Sequence, residues 1–287
     1  MKKIIIIVLI LLVGFIFYYK YYRPISPNPL ITEEYRSSKA YVNDLYKSDE
    51  YFKKHVLKEE YYYLYEAILD SSLNYTYDVN IPCTKDCIKQ FSTSYEILTL
   101  DHPELISFTG FGGYQYNNNI ISYQNYANLS KTKVYFGTKR IAIELDNIKK
   151  ETAGMNEKEK ILYTYNYIAS HNYDDYFTYN RSNQSAYSFF TKGRSVCAGF
   201  AKASQLIFQA IGINSYLVMS SNHMWNYVEY NGKWYIFDAT YGASFHDKTS
   251  PYYYDGLGKT TVNNPSILYK EYYPKIESKN LKDIFNV

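Results

Sequence analysis

The pattern of hydrophobic and polar positions separates an apolar N-terminus from the rest of the chain. An unbroken apolar run covers residues 4–17, with Lys2 and Lys3 before it and a tyrosine-rich stretch ending at Arg23 after it. With those tyrosines the run approaches the roughly 20 residues that a membrane-spanning helix needs, and no small-residue cleavage site follows it. We therefore predict an uncleaved signal anchor, a single transmembrane helix over residues 1–22. A cleaved signal peptide is the alternative.

A stalk and a mainly helical extension are predicted after the apolar run. Three prolines between residues 24 and 29 indicate a stalk over residues 23–31. Residues 32–139 form the predicted N-terminal extension, in which charged residues alternate at helical spacing with Tyr, Leu and Ala over residues 32–69. Its shorter predicted segments are a helix at Ser92–Leu98, a turn or helix start at Asp101–Glu104, a loop at Gly110, Gly112 and Gly113, and strands at Ile120–Tyr126 and Lys133–Phe136.

Residues 140–287 are predicted to form the main domain, and its first part is amphipathic. The helical pattern of residues 140–170 is interrupted near Gly154 and restarts at Asn156, which acidic residues follow in the new first turn. A second helix is predicted over Cys197–Ile211. Its expected N-cap is Ser195, and Gly212 is expected to end it.

The next segments predict antiparallel strands. Ser215–Ser220 has strand character, and the strands Met224–Tyr230 and Lys233–Phe237 are joined by an Asn-Gly dipeptide, a strong signal for a two-residue hairpin turn. Counting back from that turn makes His223 and Asp238 diagonal neighbours on one face of the hairpin. Such neighbours lie about 7–8 Å apart at the backbone, within reach of two long side chains.

Cys197 falls in the first turn of its predicted helix. Free backbone N–H groups and the helix dipole lower the pKa of a thiol there and can donate hydrogen bonds to an oxyanion. Asp238 would hold the imidazole of His223 in its charged form, and His223 would keep the thiol ionised and protonate a leaving group. Singly, these residues fit a core cysteine, a strand-end histidine and a turn aspartate. Jointly, catalysis is the stronger hypothesis.

The other two cysteines, Cys83 and Cys87, are close in sequence. Their spacing permits a small disulfide outside the cytoplasm, and free thiols are the alternative. We expect no metal site, because no second pair of Cys or His at ligand spacing accompanies them.

Composition and charge exclude several classes of function. Hydrophobic residues make up 46% of the 287-residue chain, enough for a sizeable core, and tyrosine is the outlier with 38 copies. The net charge is +3 and the basic residues are scattered, so we expect no nucleic-acid partner. No glycine-rich phosphate-binding loop is present in the sequence, and we expect no cofactor.

Short segments around the three candidate residues resemble a known family. They are Gly-Arg-Ser-Val-Cys-Ala-Gly-Phe-Ala at 193–201, Gly-Ile at 212–213, His-Met-Trp-Asn at 223–226 and Trp-Tyr-Ile-Phe-Asp-Ala-Thr-Tyr at 234–241. Their order and spacing resemble the core of the transglutaminase-like superfamily over residues 160–243. Asn-Tyr-Asp at 172–174 resembles the segment that such domains often carry before the cysteine. Residues 101–104 are similar to part of bacterial transglutaminase-like surface proteins.

The resemblance implies a fold and a set of catalytic residues. The expected fold is α+β and papain-like, with a cysteine-bearing helix packed on an antiparallel sheet, and the implied triad is Cys197, His223 and Asp238. One departure is Ala-Gly-Phe at 198–200, where many members have Gln or Gly-Tyr after the cysteine, and this bears on the substrate subsites.

Three further residues are candidates around the triad. Tyr187, Gln184 and Trp225 are candidates for side chains that bind the oxyanion or the substrate. Trp225 is expected to flank the active site or to fill the core. An animal-type calcium requirement has no visible ligand cluster in the sequence.

The expected function is acyl transfer through a thioester at Cys197. The substrate would be an amide of a protein or peptide, with cell-wall peptide as one candidate. The resemblance leaves open both a peptidase or amidase and a protein-glutamine acyltransferase, and we favour hydrolysis slightly over transamidation. A long domain after one anchor is usually translocated, so we expect a single-pass membrane protein with an extracytoplasmic catalytic domain. The alternative from another class is a non-catalytic surface or scaffolding module that retains the fold.

Overall fold

The computed structural model of the protein describes most of the chain after residue 45. The described residues are 46–74, 78–108, 112–125, 129–174, 181–245, 247–263 and 265–287. They belong to one compact unit. The predicted anchor and stalk, residues 1–31, lie outside them. Within the described residues no helix has the length and apolar character needed to cross a membrane.

The N-terminal extension begins with helices that pack on one another. They are α1 (Tyr51–Val56), α2 (Tyr62–Leu73) and α3 (Ile88–Asp101), with short 3-10 turns at Glu59–Tyr61 and Lys85–Cys87. Leu64, Tyr65 and Ile68 of α2 are fully buried at helical spacing against α3. The helix predicted at Ser92–Leu98 lies inside α3.

A three-stranded antiparallel sheet completes the extension. It is formed by β1 (Asp78–Pro82), β2 (Gly112–Asn117) and β3 (Ile120–Asn125) in the order β1-β3-β2. The predicted loop at Gly112 and Gly113 is wrong, because both residues pair with β3. Gly110 lies outside the described residues.

The predicted strand at Lys133–Phe136 is also wrong. These residues belong to helix α4 (Lys131–Glu151), which the Ser130 side chain caps by accepting a hydrogen bond from Lys133 N–H. The buried positions Val134, Thr138 and Ile141 recur at helical spacing along the whole element, and this longer period overrides the local strand propensity.

The main domain is built around one central helix. Helix α5 (Glu157–Ala169) starts with the expected capping box at Asn156. Helix α6 (Ala186–Lys192) precedes helix α7 (Cys197–Ala210). Every residue from Ala198 to Phe208 in α7 is buried, because the helix packs on α4, α5, α6 and the C-terminal sheet.

The C-terminal sheet confirms the three predicted strands and the register of the predicted hairpin. Two short strands come first in the main domain, β4 (Asn172–Tyr173) and β5 (Arg194–Ser195). The C-terminal sheet follows in the antiparallel order β6-β7-β8, with β6 at Ser215–Met219, β7 at Met224–Tyr230 and β8 at Lys233–Phe237. Tyr230 pairs with Lys233 across a turn whose two residues, Asn231 and Gly232, have φ values of 50° and 71°. Those left-handed values are what a two-residue hairpin turn requires, and Asn and Gly tolerate them best.

One hydrophobic core joins the extension to the main domain. The buried cluster that contains Leu64 and Leu98 also contains Ala198 and Ala201 of α7 and Leu217 of β6. Helices and sheets therefore share one α+β unit. The predicted division between residues 139 and 140 stays a prediction.

The carboxylate of Asp101 ties the start of α1 to the end of α3. Its two oxygens accept the N–H groups of Phe52 and Lys53, each at 3.0 Å, and Oδ2 also accepts the Tyr65 hydroxyl at 3.2 Å. The residue before α1, Glu50, makes no side-chain cap. Asp101 thus satisfies first-turn donors that α1 itself leaves unpaired.

We predict that Asp101→Ala destabilises the fold. It leaves two N–H groups and a hydroxyl buried without an acceptor, so the free energy of unfolding should fall by about 1–3 kcal/mol. Thermal or urea unfolding measures the loss. Asp146→Ala, which removes an exposed ion pair with Lys150, is the control and should change stability by no more than about 0.5 kcal/mol. Equal effects of the two substitutions would contradict the prediction.

Candidate active site

The three candidate residues come from the ends of three elements. Cys197 is the first residue of α7, His223 directly precedes β7, and Asp238 directly follows β8. Because Asn226 pairs with Phe237 in the hairpin, His223 and Asp238 emerge side by side at the open end of the two strands.

His223 and Asp238 form a buried hydrogen-bonded pair. His223 Nε2–H donates to Asp238 Oδ2 over 2.7 Å, and the two residues are 6% and 2% exposed. Nε2 is thus engaged by Asp238. The Cys197 thiol is near enough to the imidazole to act on its pKa, so the carboxylate and the thiol both influence one imidazole.

The pKa of His223 is raised by these partners. Burial alone would lower it, but the hydrogen bonds with Asp238 and Cys197 and the charges of both partners raise the pKa of His223 to about 10. The imidazole therefore holds its proton at neutral pH.

Asp238 is held by backbone donors from the start of the helix Thr240–Phe245 and from a later loop. Its Oδ1 accepts Thr240 N–H and its Oδ2 accepts Thr261 N–H, both at 3.1 Å, and its own N–H donates to Gly256 O over 2.8 Å. The Thr261 hydroxyl lies 3.1 Å from His223 Nε2. Sequence reasoning missed Thr261, because a loop residue 23 positions after Asp238 follows no local pattern.

His223 is positioned by a tight turn and an aromatic ring. The Ser220 N–H donates to His223 O over 2.9 Å, and His223 N–H donates to Ser220 Oγ over 3.1 Å. Trp225 stacks on the imidazole with ring centroids 5.6 Å apart and an interplanar angle of 16°. Trp225 is 1% exposed and does not line the cavity, so it supports the buried side of the imidazole.

Cys197 and His223 open onto a cavity of about 500 Å³. Gln184 and Tyr173 line the cavity, whereas Trp225 and Tyr187 do not. The Tyr187 ring packs beside Gly137 of α4, away from the thiol. Of the two oxyanion candidates, only Gln184 is therefore brought to the site.

Part of the cavity wall comes from outside the main domain. Tyr95, Glu96 and Thr99 of α3 line the cavity opposite α7. Lys202 of α7 lines it as well. None of these four was a sequence candidate, because their roles depend on how the extension packs on α7.

The first turn of α7 is left open towards the cavity. The predicted N-cap Ser195 is wrong: Val196 occupies that position and makes no side-chain cap, while Ser195 Oγ donates to Asn183 O over 2.6 Å. The first-turn N–H groups have no acceptor within the helix, so those near Cys197 are available as oxyanion donors.

Gly199 lets two segments approach α7 closely, Ser195 of β5 and the residues just before α6. A Cβ at this position would lie 1.8 Å from Ser195 Oγ and 2.9 Å from the carbonyl oxygens of Asn183 and Ser185. Only glycine fits without moving these segments, and the one before α6 also carries Gln184.

The remaining cysteines lie outside the site. The structure joins Cys83 and Cys87 in a disulfide with a Cα–Cα distance of 5.7 Å, at the start of α3. Within the described residues no group of three or more His, Cys, Asp and Glu side chains is placed to hold a metal ion.

Comparison with known proteins points to one superfamily. Residues 146–239 match the family model described as Transglutaminase-like superfamily. A solved structure, "Crystal structure of a TGase", matches with 16% sequence identity and a TM-score of 0.33, over 57% of this chain and 50% of that one. The match therefore spans half the length of that protein. No curated protein matches the chain significantly.

We predict that Gly199→Ala destabilises the protein and displaces Cys197. Overpacking of this kind costs typically about 1–3 kcal/mol, and the displaced segments should slow alkylation of the thiol. Unfolding and labelling kinetics measure the two effects. Gly154→Ala is the matched control, because nothing lies within 4 Å of the added carbon. A Gly199→Ala protein as stable and reactive as this control would disprove the close approach.

Proposed function

Because the chain is a member of the transglutaminase-like superfamily through residues 146–239, we propose that it is a cysteine-dependent acyl-transfer enzyme acting on protein or peptide amides. The observation that carries the proposal is the buried His223, bonded to Asp238 on one side and interacting with the Cys197 thiol on the other, at a cavity. A module that only binds has no need of a charged imidazole beside a thiol.

The first half of the proposed reaction forms a thioester. The Cys197 thiolate attacks the amide carbonyl carbon, and the oxyanion that forms is stabilised by first-turn N–H groups of α7, with the Gln184 amide nearby. The carbon–nitrogen bond then breaks, and the proton of the His223 imidazolium passes to the leaving amine.

The second half restores the thiolate. His223, now neutral, removes a proton from water, and the resulting hydroxide attacks the thioester carbon. The carbon–sulfur bond breaks, a carboxylic acid is released, and the thiolate–imidazolium pair is restored. A second amine in place of water gives a new amide by the same steps, so hydrolysis and transamidation share one intermediate. We favour hydrolysis.

The cellular setting is part of the proposal. Residues 1–22 would anchor the chain in the cell membrane as a single-pass segment, residues 23–31 would form a stalk, and the catalytic domain would lie outside the cytoplasm. Its substrates would then be extracytoplasmic proteins or peptides, and cell-wall peptide is one candidate. The support is the apolar run at residues 4–17.

Product analysis tests the reaction. We expect wild-type protein to release acid from peptide amides with one ¹⁸O incorporated in labelled water, and Cys197→Ala to lose this activity. Formation of an amide adduct with an added amine, in place of the free acid, would assign transamidation. Retention of peptides by wild type and Cys197→Ala alike, with no product from either, would favour the non-catalytic binding module.

The proposed role of His223 predicts that its removal slows alkylation of the Cys197 thiol at acidic pH. At pH 6 a free thiol with a pKa of about 8.5 is almost entirely protonated, so we expect His223→Ala to slow alkylation by iodoacetamide roughly 100-fold at that pH. Mass spectrometry of the Cys197 peptide gives the rates. His55→Ala is the control, because His55 is exposed and bonds only to Tyr51 O. Equal rates in wild type and His223→Ala would mean that the pair is not assembled.

The raised pKa of His223 predicts an alkaline limit for amide hydrolysis. The proton that the leaving amine needs is present below the pKa of about 10 and is lost as pH rises through it, so kcat/KM should fall above that value. An alkaline limb near the ordinary histidine pKa of about 6.5 would show that Asp238 and Cys197 do not stabilise the imidazolium.

A further inference from the structure

Lys202 is a buried lysine in the wall of the candidate active-site cavity. It lies on α7, five residues after Cys197, and is 2% exposed, yet it lines the same cavity as Cys197 and His223. A lysine buried to this extent is rare unless its ammonium is paired, because removing a charge from water is costly.

The Lys202 ammonium has no partner among the described residues. No hydrogen bond or ion pair to it is formed there, in contrast to Lys53, which is also buried but pairs with Glu50 and Glu66. Glu104 acts on Lys202 only from a distance, by attraction that opposes the effect of burial. Burial lowers the pKa of Lys202 to about 8, so the side chain keeps its charge at neutral pH.

The other charged groups of the cavity are already engaged. Glu96 accepts a hydrogen bond from the Tyr269 hydroxyl, and His223 is bonded to Asp238. Lys202 is thus the charged group of the cavity lining that still lacks a partner within the described residues.

We propose that Lys202 binds a carboxylate of the substrate while the substrate amide lies at Cys197. The inference rests on the proposed function and gives it a substrate class, acidic peptides. Five residues of helix correspond to a rise of about 7.5 Å, so the carboxylate would belong to the acyl residue itself or to its neighbour in the peptide. The bound carboxylate would give the Lys202 ammonium the hydrogen-bonded ion pair that it lacks among the described residues.

The energetic logic favours a ligand role over a structural one. An unpaired buried ammonium lowers the stability of the empty protein, and an arriving carboxylate recovers that loss only in the complex. A neutral peptide recovers nothing. The cavity would therefore discriminate between acidic and neutral substrates more strongly than an exposed lysine could.

Two alkylating reagents of equal length test the proposal without requiring turnover. N-iodoacetylglycine carries a carboxylate where N-iodoacetylglycinamide carries a neutral amide, and both react at Cys197. With the full-length protein at low salt and pH 7, we expect the carboxylate reagent to react about tenfold faster, a preference that salt weakens. The ratio of the two rates cancels any general change in thiol reactivity.

Variants identify the source of the preference. Lys202→Met and Lys202→Gln keep the length of the stem and remove the charge, so the ratio should fall to about one, with stability unchanged or increased. Lys160→Met is the matched control: its ammonium donates to Ile211 O at the other end of α7, and its ratio should stay at the wild-type value.

Several outcomes would overturn the proposal. A wild-type ratio near one would show that the cavity does not favour a carboxylate. A preference that survives both Lys202 variants would assign the preference to His223 and the helix terminus. A loss of stability with an unchanged ratio, or failure of both variants to fold, would make Lys202 a structural counter-charge to Glu104. A Lys202-dependent ratio in a protein that hydrolyses no amide would sustain this inference and count against the enzymatic function alone.

Discussion

The hydrogen bond between His223 and Asp238 is the constraint on which the rest of the site depends. Both groups are buried, so neither is tolerated there without the other, and each is fixed again by its own surroundings. Backbone donors from the start of a helix and from a loop hold the carboxylate, while Ser220 and the Trp225 ring hold the imidazole. The hairpin turn sets the spacing of the pair, and α7 places Cys197 in the lining of the same cavity.

The described part of the extension belongs to the same folded unit as the main domain. Its α3 contributes one wall of the cavity, and its core continues into α7 through Ala198 and Ala201. The residues that match the superfamily model, 146–239, contain Cys197, His223 and Asp238, but not Tyr95, Glu96 or Thr99. The three candidate residues and part of the cavity wall therefore come from different parts of the chain.

Short-range signals predicted the parts of the site that lie close in sequence. The Asn-Gly turn and the strand alternation were enough to place His223 next to Asp238. The local sequence also predicted the helix start at Asn156. The strand expected at Lys133–Phe136 failed because a local propensity competed with a helical period visible only over the whole of α4. The sequence could not predict the roles of Thr261 and Lys202, because these roles arise from tertiary packing. The cap expected at Ser195 does not form, because the Ser195 hydroxyl donates to Asn183 O instead.

The shared core has a consequence for anyone who divides this protein into pieces. A recombinant fragment that begins at residue 140 would retain the thiol, the imidazole and the carboxylate, but would strip the cover from Ala198, Ala201 and Leu217. Newly exposed apolar surface of that kind promotes aggregation. An insoluble or unreactive minimal domain would then reflect the loss of this cover and would carry no information about Cys197, His223 or Asp238.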